Sequence, residues 1–403
     1  MTCTLLSSLM VAGSGCDWKG DETLVIATNW TAAERDGLEA GFRAWVKVHP
    51  DLAIRPFRIV WIILAEGRDP TAIVGRVPVD LVLGGPAASY DRLAAEGRLD
   101  NRVIRRSPLG LAARRPIRAA LRAMSGMILG EPEMAGRVAL DDPRGAPITL
   151  EWAKARLGSG TWSQGYAELV RTAGNARAIG RNEGAAQARL ERGEDVLVPV
   201  SLLQIADRAG VGFVHPDEAP DWVEGVGLMH EARHPARARS FWEFLGARPG
   251  TGLPSSPGGP RADPLLADLL GATLVDAQDE LRAAWSALVR AGRPAAWEER
   301  MTAAPPWPPA SVAALRGGPD AALWVETLAE QVAPLAEARD WLLTSWERPP
   351  RPIDGRFLDD LAGAAGGRLA QEPRFRAWLR GEWTAWARQR YRWVVREVED
   401  GAR

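Results

Sequence analysis

The sequence predicts an α/β protein of two strand-and-helix blocks followed by a C-terminal all-helical extension. Three observations carry this. Short β-branched runs alternate with amphipathic helical spacing from Thr23 to Leu245, as a parallel sheet covered on both faces requires. From about Arg261 the texture changes to helical apolar spacing with no strand pattern. The length, 403 residues, allows two or three domains at roughly 100 to 200 residues each.

The elements follow in order. Thr23 to Thr28 (TLVIAT) is the first strand, and Thr31-Ala-Ala-Glu34 is a capping box that opens a helix through about Val48. Leu52 to Leu64 gives a second strand region. Val79 to Leu83 (VDLVL) gives a third, ending on Gly84-Gly85-Pro86 before a helix from Ala87 to Glu96. Glycine at the C-terminal end of a strand lets a ligand approach the backbone and the next helix N-terminus. After Gly136, RVALDD reads as a strand, Pro147 to Leu157 and Thr161 to Thr172 as helices, Gly184 to Arg192 as a helix, and Val196 to Val200 as a strand. Gly212 to His215 is strand-like, HPDEAPDW is turn-rich, Val223 to Met229 is a strand and Pro235 to Leu245 a helix. In the extension, Leu265 to Val289 has helical spacing and Thr302 to Pro309 (TAAPPWPP) is a break. Helices follow near Asp320 to Arg348, Arg356 to Leu369 and Pro373 to Glu399. No fixed-period repeat is present.

Composition excludes several functions. Fifty basic residues nearly cancel 51 acidic ones, for a net charge of −1, so nothing pulls the chain as a whole toward nucleic acid. Mean hydropathy is −0.17. Ile59 to Ala65 is among the longest apolar runs, well below the roughly 18 residues of a spanning helix. Cys3 and Cys16 are the two cysteines, so the body of the chain can hold no disulfide framework or thiolate metal cluster.

The loudest catalytic motif is His230-Glu231-Ala232-Arg233-His234, a literal H-E-x-x-H. In a zinc hydrolase its imidazoles lie one helical turn apart on one metal, and the glutamate activates a bound water. Here the motif follows a strand (GVGLM), and Pro235 disfavours helical geometry at His234, so the alignment is expected to be lost. A zinc-dependent hydrolase is the enzyme alternative. Thr161-Trp-Ser163-Gln-Gly165 lacks the first glycine of a nucleophile elbow, and neither a P-loop nor a G-x-G-x-x-G is present. Eighteen tryptophans stand against three tyrosines, and Trp378, Trp383, Trp386 and Trp393 fall in an Arg-rich helix. They are read as packing beneath arginine stems rather than as a membrane-contacting face.

Residues 22 to 248 resemble an extracellular solute-binding protein of bacterial ABC importers, with the two-lobed type II periplasmic-binding fold of the iron(III), thiamine and polyamine binders. The resemblance is carried by TLVIATNWTAAERDGLEAGFRAWVKVHPDLAIRPF, PVDLVLGGPAASYDRLAAEGRLD, GRVALDDPR, IGRNEGAAQARLERGEDVLVPVS and GFVHPDEAPDWVEGVGLMHEARHPARARSFWEFL, in the family's order. It implies lobe 1 at 22–110 and 223–260, lobe 2 at 111–222, RSPLGLAA as the lobe-crossing strand, and a helical region at 261–403 beyond the family's usual end.

It further implies ligand capture between the lobes. Candidates in lobe 1 are Asn29, Trp30 and Thr31 after the first strand, and Gly84, Gly85 and Ser89 after the third. In lobe 2 they are Asp142 and Arg144, then Asn182, Glu183 and Gly184 at a helix start, and Ser201 and Gln204. Each has a plainer reading: Thr31 and Ser89 as helix caps, Arg144 as a partner for Asp141. The adjacent tyrosines of ferric binders are absent from SLLQIADRAG, which disfavours iron held by phenolates.

The opening MTCTLLSSLMVAGSGC resembles a lipoprotein signal, with residues 1–15 removed and Cys16 lipidated, although Gly13 stands where Leu, Val or Ala is usual and no basic residue precedes it. The expected protein is a membrane-anchored, monomeric binder in the periplasm or cell envelope. It has no cofactor and no covalent chemistry, does not bind nucleic acid, and its partners are permease and ATPase subunits. A non-transporting envelope scaffold is the other alternative, hinted at by Ala87, Ala88 and Ala185 in the turns.

Overall fold

The computed structural model describes residues 23–49, 58–64, 69–114, 129–182, 184–205, 210–215, 221–248 and 263–401. Cys16 with the signal segment, Glu183, the first part of the second strand region and most of the HPDEAPDW turn lie outside the described residues.

Strand β1 (Thr23–Thr28) is buried from Leu24 onward because both of its faces are covered. Helix α1 (Ala32–Val48) starts on the expected capping box: the Glu34 backbone N–H donates to Thr31 Oγ1 and the Thr31 N–H to Glu34 Oε2 at 2.8 Å. Its Phe42 ring meets Phe241 edge-on at 4.8 Å, which docks α1 on α7 (Pro235–Gly246). β2 (Arg58–Ile63) and β3 (Leu81–Pro86) flank β1 in parallel, and α2 (Ala87–Ala95) follows β3 directly.

The next strand joins the two blocks. β4 (Leu99–Arg114) runs for 16 residues. Over Leu99 to Pro108 it pairs antiparallel with β9 (Asp221–Met229), itself antiparallel to β3, so the first lobe carries the order β2-β1-β3-β9-β4. Over Leu109 to Arg114 it pairs instead with β7 (Val198–Ser201) and β8 (Val211–Val214) of the second lobe. The second lobe adds a parallel pair, β5 (Val138–Asp141) with β6 (Ala176–Gly180), covered by α3 (Pro147–Gly158), α4 (Trp162–Asn175) and α5 (Ala185–Glu191). β6 is absent from the sequence reading. Its ARAIG has one β-branched residue, and its pairing partner rather than its propensity makes it a strand. The short α6 (Leu202–Ile205) follows β7.

The C-terminal region is helical, as expected, with local differences. The Leu265–Val289 stretch is interrupted: α8 (Asp263–Leu270) passes through a π-helical turn at Gly271–Val275 before α9 (Gln278–Arg290). α10 (Ala295–Thr302), α11 (Ala310–Leu315), α12 (Ala321–Val332), α13 (Ala336–Trp346), α14 (Gly355–Gly363), α15 (Arg368–Gln371) and the 29-residue α16 (Pro373–Gly401) complete it. The Pro-rich break is pinned by a ladder the sequence did not announce, β10 (Pro306–Trp307) against β11 (Arg351–Pro352).

This region shares its core with the second lobe. One continuous apolar cluster runs from Leu140, Trp152 and Leu169 to Leu269, Trp285 and Trp383. Gly174 permits the contact, since a Cβ there would sit 2.8 Å from the Trp285 side chain. Trp285 Nε1 donates to Asn175 Oδ1 at 2.6 Å and Asn175 Nδ2 to the Leu129 carbonyl at 2.8 Å, so these two buried side chains are paired across the junction. The first lobe has separate clusters on the two faces of its sheet, around Phe42 and Phe241 and around Tyr90. Burying each such large side chain is worth about 1.5 to 3 kcal/mol.

Candidate ligand cleft

β1 and β3 end side by side, and the residues beyond them lie against each other. Gly84 and Gly85 have φ of +89° and +77°, and a Cβ on Gly84 would fall 2.4 Å from Asn29 Oδ1 and 2.8 Å from Trp30 Nε1. Glycine is required there by the close approach of the chain's own Asn29-Trp30 turn. Trp30 Nε1 donates to Glu224 Oε2 at 3.0 Å, and the Arg105 guanidinium lies 4.3 Å from the centroid of the Trp30 ring. Arg105 also donates to both Glu224 oxygens and to Glu34 Oε1 at 2.6 Å, while Trp222 Nε1 donates to Glu224 Oε1 at 3.0 Å. Burial pushes the Glu34 carboxyl up, but Arg105 and the Thr31 donors outweigh it and hold Glu34 below its ordinary range. The side chains beyond the ends of β1 and β3 are thus engaged by partners within the protein itself.

In the second lobe the start of α5 is occupied too. Asp141 accepts the Gly184 and Ala186 backbone N–H groups, each at 2.9 Å. Burial pushes its carboxyl up to about 6, against the lowering effect of those two donors. Arg144 does not pair with Asp141. It binds Asp142 through its backbone N–H, Nε and Nη2, and Asp276 through Nη1 and Nη2 at 2.7 and 2.8 Å. The Ser201 N–H donates to Gln204 Oε1 at 3.1 Å. Gly184 and Gln204 line a crevice of about 10 Å³, about the room one water needs.

The open space is a cleft of about 840 Å³ that the Trp30–Arg105–Glu224 network does not line. Among the described residues, the first lobe lines it with Asp69, Pro86, Ala88 and Ser89, and the second with residues that include Arg144, Glu151, Arg181 and Asn182. The helical region adds Asp263, Pro264, Ala267 and Arg376. The cleft therefore brings together Ser89, Arg144 and Asn182 of the sequence candidates. Asn29, Trp30, Thr31, Gly84, Gly85, Asp142, Gly184, Ser201 and Gln204 do not line it.

Ser89 Oγ donates to Asp69 Oδ2 at 2.5 Å, and Asp69 Oδ1 accepts the N–H and hydroxyl of Thr71 at 2.9 and 2.8 Å. Sequence reasoning missed Asp69, Glu151, Arg181, Asp263 and Arg376. Arg181 adjoins Asn182 in a stretch already singled out, so a signal existed. For Asp263 and Arg376 none did, because only the shared core brings them to the second lobe.

The H-E-x-x-H histidines sit on different elements. His230 follows β9, with Nδ1 2.8 Å from the Gly97 carbonyl and Nε2 3.0 Å from Asp100 Oδ1. Both ring nitrogens face acceptors, and the Asp100 bond raises the pKa of the imidazole. His234 caps α7, and its backbone N–H and Nδ1 each lie 3.0 Å from the fully buried Asp80 carboxylate. The helical alignment a zinc protease uses is lost, as Pro235 implied. Among the described residues, no group of three His, Cys, Asp or Glu is placed to hold a metal.

A two-lobed α/β fold whose lobes face each other across an open polar cleft defines a ligand-binding protein of the periplasmic type. Residues 43–253, just over half of the chain, match the family described as bacterial extracellular solute-binding protein, and the chain belongs to that family. Its members are solute-binding components of ABC importers acting outside the cytoplasmic membrane, not enzymes. No curated protein matches the chain.

Among solved structures, iron-bound HitA from Pseudomonas aeruginosa is similar at 17% identity and a TM-score of 0.47, over 57% of this chain and 82% of its own. AfuA from Actinobacillus pleuropneumoniae, with fructose-6-phosphate bound, is similar at 14% identity and 0.47, over 57% and 81%. A periplasmic thiamin binding protein is similar at 15% identity and 0.43, over 55% and 77%. These likenesses carry no ligand over to this chain. Among the described residues, no helix is long and apolar enough to cross a membrane.

Proposed function

We propose that this protein captures a small polar or anionic solute in the cleft between its lobes and delivers it to the permease of an ABC importer. The observation that carries this reading is the 840 Å³ cleft with ionisable side chains on opposing walls. Arg181, on its second-lobe wall, is exposed and pairs with no carboxylate among the described residues. Ser89 and Asn182 supply neutral hydrogen-bonding groups beside it.

Lobe 1 is assigned to 22–110 and 223–260, and lobe 2 to 111–222. The change of partner along β4 at Pro108-Leu109 supports a hinge there. Ligand touching both lobes stabilises the closed arrangement more than the open one, which is what drives closure. Cys16 is assigned as the lipid attachment point, supported by the small residues Gly13-Ser14-Gly15 before it.

The Trp30–Arg105–Glu224 network favours a second reading, an envelope scaffold that keeps the fold without transporting, because it commits the ligand candidate Trp30 to partners within the protein. Calorimetric titration with anions, sugars, amino acids, polyamines and metal ions separates the two. Saturable binding that Arg181→Gln weakens supports capture, and no binding across every class supports the scaffold.

A further inference from the structure

The cleft has a wall that the two lobes do not supply. We propose that the C-terminal helical region is part of the binding site, and that Asp263 and Arg376 on this third wall select a zwitterionic solute bearing both an ammonium and a carboxylate. The inference rests on the capture reading above and narrows its ligand.

Six ionisable side chains line the cleft among the described residues: the carboxylates Asp69, Glu151 and Asp263 and the guanidinium groups Arg144, Arg181 and Arg376. With three of each sign lining one space, a solute carrying both charges meets a partner for each, whereas a solute of one charge meets as many like as opposite groups.

Arg144 is already held by Asp142 and Asp276, and the other lining charges are less evenly matched. Lys154 holds both Glu151 at 2.8 Å and Asp263 at 3.1 Å, so one ammonium faces two carboxylates and the cluster keeps a net negative charge. Burial above all, with Glu151 and Asp359 nearby, pushes the Asp263 carboxyl up despite Lys154. Asp268, almost fully buried, is shared by Arg376 at 2.7 Å and Arg380 at 3.2 Å, so two guanidinium groups face one carboxylate and that cluster stays positive. The third wall therefore offers a negative and a positive pole to the same space.

The opposing walls repeat the pattern. Asp69 bonds only to Ser89 and Thr71 and pairs with no basic side chain among the described residues, and Arg181 pairs with no acidic one. An ammonium group placed at Asp69 or Asp263 and a carboxylate at Arg181 or Arg376 would bridge walls that bare solvent leaves apart. Contacts to charged partners of this kind are the ones that discriminate most strongly between ligands.

The test is calorimetric titration of the full chain with a set of α- and ω-amino acids and betaines, with propionate and ethylamine as one-charge controls. Expected is saturable binding of at least one zwitterion, with both controls at least 100-fold weaker. Asp263→Asn and Arg376→Gln should each weaken that zwitterion about tenfold. Arg376→Lys, which keeps the charge beside Asp268, should recover most of the loss. If Arg376→Gln does not fold, Asp263→Asn decides the matter alone.

Binding within twofold of wild type in Asp263→Asn overturns the third wall, and equal binding of a one-charge control overturns the zwitterion. Binding confined to sugars, polyamines or metal ions, abolished by Arg181→Gln, overturns this inference while leaving capture intact. No binding by any class overturns capture itself.

Discussion

The Arg144 guanidinium forms two hydrogen bonds to Asp276, at 2.7 and 2.8 Å, and so ties the loop after β5 to the turn between α8 and α9. The same guanidinium holds Asp142, and this pairing with two carboxylates raises its pKa further above the ordinary arginine value. Together with the apolar cluster that runs through both regions, the bridge makes the second lobe and the helical region one mechanical body. Under the capture reading proposed above, lobe 1 is then the part expected to move on ligand binding.

Asp276→Ala is expected to cost about 1 to 2 kcal/mol, the scale of a partly exposed charge-assisted pair. Urea unfolding followed by tryptophan fluorescence measures it. Trp152 of the second lobe and Trp383 of the helical region, each read by difference against its Trp→Phe variant, should report one shared transition, and a helical region that melts separately from the second lobe would contradict the single body.

Glu224 serves Trp30, Trp222 and Arg105 together. Replacing it with alanine leaves the Arg105 charge with Glu34 as its remaining partner and strands two indole donors, so Glu224→Ala should destabilise by about 3 to 5 kcal/mol. A loss under 1 kcal/mol in a thermal or urea melt would show that the network does not hold the Trp30 turn in place.

Asp141 supplies a pH dependence. Its carboxyl sits at about 6 in the folded protein against an ordinary 3.8, so the folded state binds this proton more tightly than the unfolded state does. The contribution is fully present below 3.8 and is lost as pH rises through about 6. The gap corresponds to roughly 3 kcal/mol. The stability of wild type relative to Asp141→Asn should therefore fall between pH 4 and pH 7, measured by urea melts at each pH. A difference that stays flat across that window would contradict the assignment.

Lipidation at Cys16 predicts incorporation of labelled palmitate by wild type in a bacterial host and none by Cys16→Ala. Equal label in both, or none in either, would remove the anchor from the account.

Much of the fold was legible because local signals agreed with the tertiary result. The Thr31–Glu34 box, the β-branched TLVIAT and the Pro235 helix start each carry their own cue, and each lies where the sequence placed it. β6 was illegible because ARAIG becomes a strand only beside β5. The site was legible in part. Ser89, Arg144 and Asn182 reach the open cleft, but nothing local to Trp30 says that Arg105, 75 residues on, will cover its ring. Asp263 and Arg376 arrive through long-range packing of helices, which spacing along one helix does not encode.

The central claim is that the cleft captures a solute, and calorimetric titration of the purified full chain across chemically distinct solutes tests it most directly. The account predicts saturable one-to-one binding that Arg181→Gln weakens about tenfold or more. Failure of every solute class to bind, or binding untouched by Arg181→Gln, would contradict it.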